Sequence, residues 1–387
     1  MFSERVPRSL EPNLITRAAR RARAAGRPLL DLTITNPTTA GFEYPSSMLD
    51  GLSSSQALAY EPAPFGLLEA RRAVACDYAR RGIDAAPERI VLTASTSEAY
   101  SLLFKLLCAP KGDAVLVPVP SYPLFDHLTA LDGIQSIPYR LDYHGRWTIA
   151  IEDLRRVWTP AVRAVLAVSP NNPTGSVLSA GETDELAIAC REHRAALIVD
   201  EVFGDYGLGA DSRTSELAAD GTLVFRLGGL SKSAGLPQVK LGWILIDGPD
   251  DVAREAAERL EVICDAYLSV STPVQIAAPG LIEAGAAVRA QILERVRLNY
   301  RALLSAASAH PAIEVLHTDA GWSSVLRVPS TRSEEDLVVD LLDRDGVLVH
   351  PGFFFDFAHE AFLVVSLLAE PQAFAEGIRR VLERADA

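Results

Sequence analysis

From Arg89 onward, short apolar runs rich in Val, Ile and Leu alternate with stretches of helical pattern: Ile90–Thr93, Val115–Pro118, Ala164–Val168, Ala196–Asp200, Leu223–Leu227 and Trp243–Ile246. Strands this short and this uniformly apolar are buried on both faces, and the helical stretches between them supply crossovers, so the order predicts an α/β fold around a mostly parallel central sheet. Ligands of such sheets bind where loops leave the carboxyl ends of the strands, and the polar residues of this chain gather there. Beyond about residue 250 the pattern changes to a long helix from Asp251 to about Ala266, another around Gln275–Leu303, and a strand-and-helix mixture ending in a helix near Gln372–Arg384. We expect a large ligand-binding domain over residues 46–275 and a smaller α+β domain over 276–387, with the N-terminal segment 1–45 contributing to the smaller one.

Charge narrows the partners. Asp and Glu number 50 against 37 Lys and Arg, a net −13 that repels a phosphate backbone or an anionic membrane, so neither nucleic acid nor a membrane is expected as a partner. No run of apolar residues reads as a membrane span. Cys76, Cys108, Cys190 and Cys264 lie far apart without a C-x-x-C pair, which indicates neither a zinc site nor a disulfide framework and suits the cytoplasm. The N-terminal arginines Arg5, Arg8, Arg17, Arg20, Arg21 and Arg23 are interrupted by Glu4 and Glu11 and lack an adjoining apolar core, so they read as an amphipathic helix of the mature fold.

Lysine is the most informative residue type. The chain contains only Lys105, Lys111, Lys232 and Lys240, leaving 37 − 4 = 33 arginines. Two of the four fall in the Gly-rich loop Gly228–Trp243 after a predicted strand. Lysines kept in a chain so biased towards arginine suggest chemistry that a guanidinium cannot perform, namely deprotonation to an amine nucleophile.

Three further loops carry polar residues at strand ends. Ser95-Thr96-Ser97-Glu98 precedes an apolar helix, and Ser95 with Glu98 is expected to form a capping box. The N–H groups of Thr96 and Ser97 would then face an anion at the positive end of the helix, although the same pattern also serves as a plain cap. Ser169-Pro170-Asn171-Asn172-Pro173-Thr174-Gly175 follows the strand ending at Val168, as a rigid loop with two consecutive asparagines. Asp200 ends the strand Leu197-Ile198-Val199-Asp200. A carboxylate buried there must find a cation or donors, which makes it a partner for a protonated ring nitrogen or else a structural cap.

Taken together, S-T-S-E, S-P-N-N-P-T-G, D-E-V-F and S-K-S in this order resemble the class I/II, fold-type I pyridoxal-phosphate-dependent aminotransferases over nearly the full chain. The resemblance implies pyridoxal 5′-phosphate as cofactor, with Lys232 as the catalytic lysine of the aldimine, Asp200 on the pyridine nitrogen and Asn172 on the phenolic oxygen. It also implies Tyr122 against the ring, and Thr96, Ser97, Ser231 and Lys240 at the phosphate, Lys240 standing where the family usually has an arginine. Tyr60 resembles the tyrosine that reaches the neighbouring subunit's phosphate, which implies a homodimer with a shared site.

Three positions depart from the family pattern. Phe203 replaces the usual tyrosine of D-E-x-Y, Gly229 replaces a serine on the phosphate, and Val364 stands where R-L-S would place the arginine that clamps the substrate carboxylate. The segment Cys264–Pro273, near which aspartate-specific relatives carry a second arginine, has none and holds Asp265 instead. The expected activity is therefore transamination between a small or neutral amino acid and a 2-oxo acid, with the α-carboxylate held by an arginine from elsewhere or by backbone N–H groups, Arg327 and a residue near Asn36 being the candidates to fold into the pocket. A fold-type I lyase or decarboxylase is the alternative.

Overall fold

In the computed structural model, which describes residues 2–8, 10–209 and 221–386, the strands in chain order are β1 (Leu30–Asp31), β2 (Ile90–Thr93), β3 (Ala114–Val119), β4 (Gln135–Tyr143) and β5 (Trp147–Ile149). They continue with β6 (Val162–Val168), β7 (Ala196–Asp200), β8 (Val224–Gly229), β9 (Gly242–Asp247) and β10 (Glu314–Val315), and end with β11 (Ser323–Arg327), β12 (Val347–Leu348), β13 (His350–Pro351) and β14 (Phe362–Ser366). Eight of them form the central sheet in the order β2-β9-β8-β7-β6-β3-β4-β5. The run from β8 through β7, β6 and β3 to β4 is parallel, and β9 and β5 are antiparallel to their neighbours. All six apolar runs read from the sequence are strands of this sheet. Along β3 the side chains divide by parity, Val115 and Val117 entering one apolar core and Ala114 and Leu116 another, as a strand covered on both faces requires.

The hairpin β4–β5 carries no strand signal in the sequence. Its residues alternate between exposed and buried at a sheet edge and include Pro138 and Arg140, so no apolar run marks it. A second, antiparallel sheet has the order β10-β11-β14-β13. The N-terminal segment joins this part of the chain: β1 pairs in parallel with β12, and Ser366 N–H donates to Leu32 O at 2.7 Å. The N-terminal helix covers only Leu14–Ala24, with Asn13 as its cap, so Arg5 and Arg8 lie outside it.

Helix Thr272–Ala307 is long and apolar enough, by length and composition, to cross a membrane, contrary to the expectation that no segment reads as a span. In the fold its stripe Leu281, Val288, Ile292, Val296 and Leu303 is buried at helical spacing, and Asn299 on that stripe donates to Leu367 O and Ala369 O. The same helix carries Arg289, Arg295, Arg297 and Arg301 within the protein's own contacts or at its surface. It continues unbroken past residue 275, so the proposed boundary between the two domains falls in its first turn.

Candidate active site

Parallel strands deliver their carboxyl ends to one edge of the sheet, and the register fixes which residues meet there. Val168, Asp200 and Leu227 lie abreast on β6, β7 and β8. The chain leaves β6 into the loop holding Asn171 and Asn172, and leaves β8 into the short helix Leu230–Ser233 that carries Lys232. One strand further, Thr93 on β2 and Gly229 on β8 both pair with Gly242 on β9. This brings the turn Ser95–Ser97 to the flank of Ser231. A Cβ on Gly242 would lie 3.0 Å from Ser95 C and 3.1 Å from Thr93 Oγ1, so the close approach of these strands favours glycine, any larger residue needing the backbone to give slightly.

Lys232 is the one lysine of the four whose amine is enclosed. Lys105 pairs with Asp132 at the surface, and Lys111 and Lys240 are exposed. Lys232 Nζ lies 4.9 Å from the ring centre of Trp322 and 5.6 Å from that of Phe203. Burial pushes its pKa down to about 8, against the opposing pull of the Asp200 charge. Tyr206 donates its hydroxyl proton to the Lys232 carbonyl, and its ring packs edge-on against Trp322, so it holds the backbone of Lys232 and braces the aromatic wall beside the amine.

Asp200 accepts from Tyr100 Oη at 2.9 Å and from Val202 N–H at 3.1 Å. Burial raises its pKa to about 6, and those two donors limit the rise. The adjoining Glu201 is buried too, but Arg226 donates to its Oε1 from Nε at 3.0 Å and sets Nη2 in ion-pair contact with the same oxygen at 2.8 Å, so its charge is countered within the protein. Among the described residues Asp200 has no cation in hydrogen-bond contact and is left with neutral donors.

The two asparagines divide their work. Asn171 is buried and structural: its amide donates to Pro120 O and Thr174 Oγ1 and accepts from Ser121 Oγ, tying this loop to the turn that bears Tyr122. Asn172 has no partner for its side chain among the described residues. Tyr122 is 48% exposed on the rim of the loop. Beside it opens a cavity of about 650 Å³ lined by Val119, Tyr122, Arg140 and Asp356; Lys232 and Asp200 are not on its walls, so this cavity is not the reacting centre.

At the β2 side, Ser95 caps helix Thr96–Leu107 by accepting from Glu98 N–H at 3.1 Å. The expected capping box is only half formed: the Glu98 carboxylate accepts from Ala94 N–H rather than from Ser95 N–H. The N–H groups of Thr96 and Ser97 have no partner among the described residues, as the first turn of a helix leaves them. Lys240 follows the same register. Leu230 N–H donates to Leu241 O, which sets Lys240 beside Ser231, exposed and without a carboxylate partner among the described residues. At Gly229 a Cβ would come within 3.1 Å of Gly242 Cα and of Leu241 O, so a serine there would need the two strands to separate slightly. Tyr60 is 66% exposed and remote from this group in hydrogen bonding.

Arg327 pairs with Glu314 at the outer edge of the small sheet, and Asn36 caps its own turn by accepting from Thr38 N–H. Val364 is buried in an apolar cluster with Val325 and Phe355. Three residues of the site escape a reading of the sequence: Tyr100, Tyr206 and Trp322. Tyr100 has a usable signal, since it stands four residues after Thr96 and thus on the same helix face. Trp322 has none, being brought in from the small sheet by pairing contacts distant in sequence.

The donors fit a phosphorylated pyridine aldehyde. A primary amine of lowered pKa and a buried carboxylate stand on adjacent strand ends, while unpaired helix N–H groups, a serine and a free cation stand at the other side. From this geometry, Tyr100→Phe should remove a donor that favours the ionised Asp200. The acid limb of the pH profile of kcat/KM should then move to higher pH, with a loss of about tenfold near neutrality; an unmoved limb would assign Tyr100 to packing.

A family model described as aminotransferase class I and II matches residues 29–381. The glutamate-pyruvate aminotransferase AlaA of Escherichia coli is 30% identical over 268 residues, which cover 67% of this chain and 65% of that protein. An alanine aminotransferase of Mycobacterium bovis is 28% identical over 94% of this chain and 87% of its own length. Among solved structures, the alanine aminotransferase from Pyrococcus furiosus superposes with a TM-score of 0.89 at 23% identity, covering 99% of both chains.

Proposed function

This chain belongs to the class I and II aminotransferase family, and from that membership we propose that it moves an amino group between small neutral amino acids, alanine first, and 2-oxo acids, with pyridoxal 5′-phosphate as cofactor. The observation that carries this reading is the Lys232 amine, its pKa lowered to about 8 by burial, on the strand end next to buried Asp200. Lys232 would hold the cofactor, Asp200 its ring nitrogen, Asn172 its phenolic oxygen and Tyr122 its ring face. Thr96, Ser97, Ser231 and Lys240 would hold its phosphate. The cofactor supplies the electron sink that lets an amino acid lose its Cα proton.

The protein's part is proton handling and placement. Near pH 8 a large share of Lys232 is unprotonated, so Nζ can take the proton from the substrate's Cα and return it to the acceptor carbon. Ionised Asp200, in a site with no competing cation in contact, keeps the nitrogen it faces protonated. Phe203 offers no hydroxyl, so the hydrogen bonding to the phenolic oxygen falls to Asn172. Tyr60, 66% exposed, would complete the phosphate site of a second copy, which would make the working unit a homodimer, and the widely spaced free cysteines suit the cytoplasm.

Donor choice follows from the missing cations. Val364 is buried among apolar side chains, Arg327 is committed to Glu314, and exposed Asp265 adds negative charge near the segment that would serve a neighbouring subunit. A second carboxylate on the substrate would meet no guanidinium there. With a common 2-oxo acid, alanine should exceed aspartate in kcat/KM by at least about tenfold. Higher kcat/KM for aspartate would overturn the donor assignment. Release of ammonia in place of stoichiometric amino transfer would replace the transaminase reading with a lyase.

A further inference from the structure

Buried polar side-chain atoms are almost all hydrogen-bonded, so an orphan beside a reacting group needs a reason. Trp322 is 3% exposed and its indole Nε1 has no hydrogen-bond partner among the described residues. Its ring centre lies 4.9 Å from Lys232 Nζ, and the ring meets Phe203 and Tyr206 edge-on at 5.3 and 5.1 Å. The backbone around it is fixed on three sides. Gly321 N–H donates to Tyr206 O at 2.9 Å, Leu367 N–H to Trp322 O at 2.7 Å, and Ala320 N–H to Gly175 O at 3.0 Å. The last of these bonds ties the Trp322 segment to the loop that carries unpartnered Asn172. A donor held this firmly, with no acceptor among the described residues, is preorganised for an acceptor that arrives with a ligand.

The acceptor can be identified by elimination. Anion donors for a phosphate stand at the far side of the site, on the turn Ser95–Ser97 and beside Ser231. What the fold leaves without a cation is the substrate's α-carboxylate, since Val364 is buried in an apolar cluster and Arg327 is paired at the sheet edge. Trp322 belongs to the same ladder as Val364: it immediately precedes β11, whose Val325 pairs with Val364 on β14. We propose that the Trp322 indole N–H binds the α-carboxylate of the amino acid substrate, next to the Lys232 amine. The proposal rests on the reading of Lys232 as the reacting amine. It assigns a neutral donor to a job usually given to a guanidinium, and a single N–H binds a carboxylate less tightly than a bidentate fork.

The test uses the cofactor-loaded enzyme and propionate, which carries the carboxylate but no amine and cannot react. Trp322→Phe keeps a ring in the cage and removes the N–H, and Trp322→His restores a ring N–H. By calorimetric titration, propionate should bind Trp322→Phe about tenfold more weakly than the parent, with the cofactor's absorbance unchanged, and Trp322→His should recover part of the loss. Three results would overturn the assignment: unchanged propionate affinity in Trp322→Phe, equal weakening in both variants, which marks packing alone, or an altered cofactor spectrum with propionate affinity intact. Because propionate binding is read without turnover, failure of the parent enzyme to transaminate alanine would refute the proposed donor and leave the Trp322 result standing.

Discussion

Replacing Lys232 by alanine should lower turnover by about ten-thousand-fold and leave the protein folded, because the substitution removes the one enclosed amine and little of the core. Its side chain contributes no hydrogen bond or ion pair among the described residues; its contacts there are the faces of Trp322 and Phe203 and the charge of Asp200. The backbone position survives, since Tyr206 bonds the Lys232 carbonyl, and the carbonyl remains in an alanine variant. Cofactor would still be drawn in by the donors near Ser95–Ser97 and Ser231, but it could be washed out and would not be fixed to the chain by borohydride. Lys232→Arg should be as inactive, although it keeps the positive charge, because a guanidinium stays protonated at any working pH. Mass spectrometry after borohydride treatment, paired with single-turnover rates, checks both variants. A reducible covalent linkage in Lys232→Ala, or ordinary turnover in either variant, would transfer the chemistry to another residue.

The parts of this site that are legible in the sequence are those encoded locally. A buried parallel strand is an apolar run, and the loop at its carboxyl end lies on the ligand-binding edge, so Asp200, the Asn171–Asn172 loop and Lys232 can be placed at strand ends without coordinates. Compositional bias singles out Lys232 and Lys240 for a separate physical reason, the inability of arginine to act as an amine. The illegible parts depend on distant pairing. Trp322 reaches Lys232 only because the Ala320 N–H bonds Gly175 O and Gly207 bridges to Ala320, contacts that no local pattern announces. The β4–β5 hairpin is hidden because an edge strand need not be apolar, and the half-made cap at Ser95 because a box and a plain cap share one sequence. Register also explains Gly229: its lack of a side chain reads as a lost hydrogen bond in sequence and as room for Gly242 in the fold.

Asp200→Asn should separate what this residue does for catalysis from what it costs the fold. An amide has no charge to hold a ring nitrogen protonated, so kcat should fall by about 10²- to 10³-fold while cofactor content stays near the parent's, the phosphate end being untouched. In the cofactor-free protein the effect on stability has the opposite sign. Burial raises the Asp200 pKa from an ordinary 3.8 to about 6, so the folded state holds its proton more tightly than the unfolded chain does. Between those two pH values the unfolded state ionises first, and stability is lost as pH rises through that window, by about 3 kcal/mol once both states are ionised. Asparagine has no such titration. Its carbonyl oxygen can accept from Val202 N–H and its amide can donate to Tyr100 Oη, since a hydroxyl serves as either donor or acceptor. Cofactor-free Asp200→Asn should therefore be more stable than the parent in urea at pH 7.5, by up to about 3 kcal/mol, and the advantage should shrink towards zero near pH 4. A parent protein that matches the variant at both pH values would mean that Asp200 ionises in place without penalty, which would overturn the stability argument alone, whereas a variant that keeps its turnover would make the carboxylate a structural cap and remove it from the chemistry.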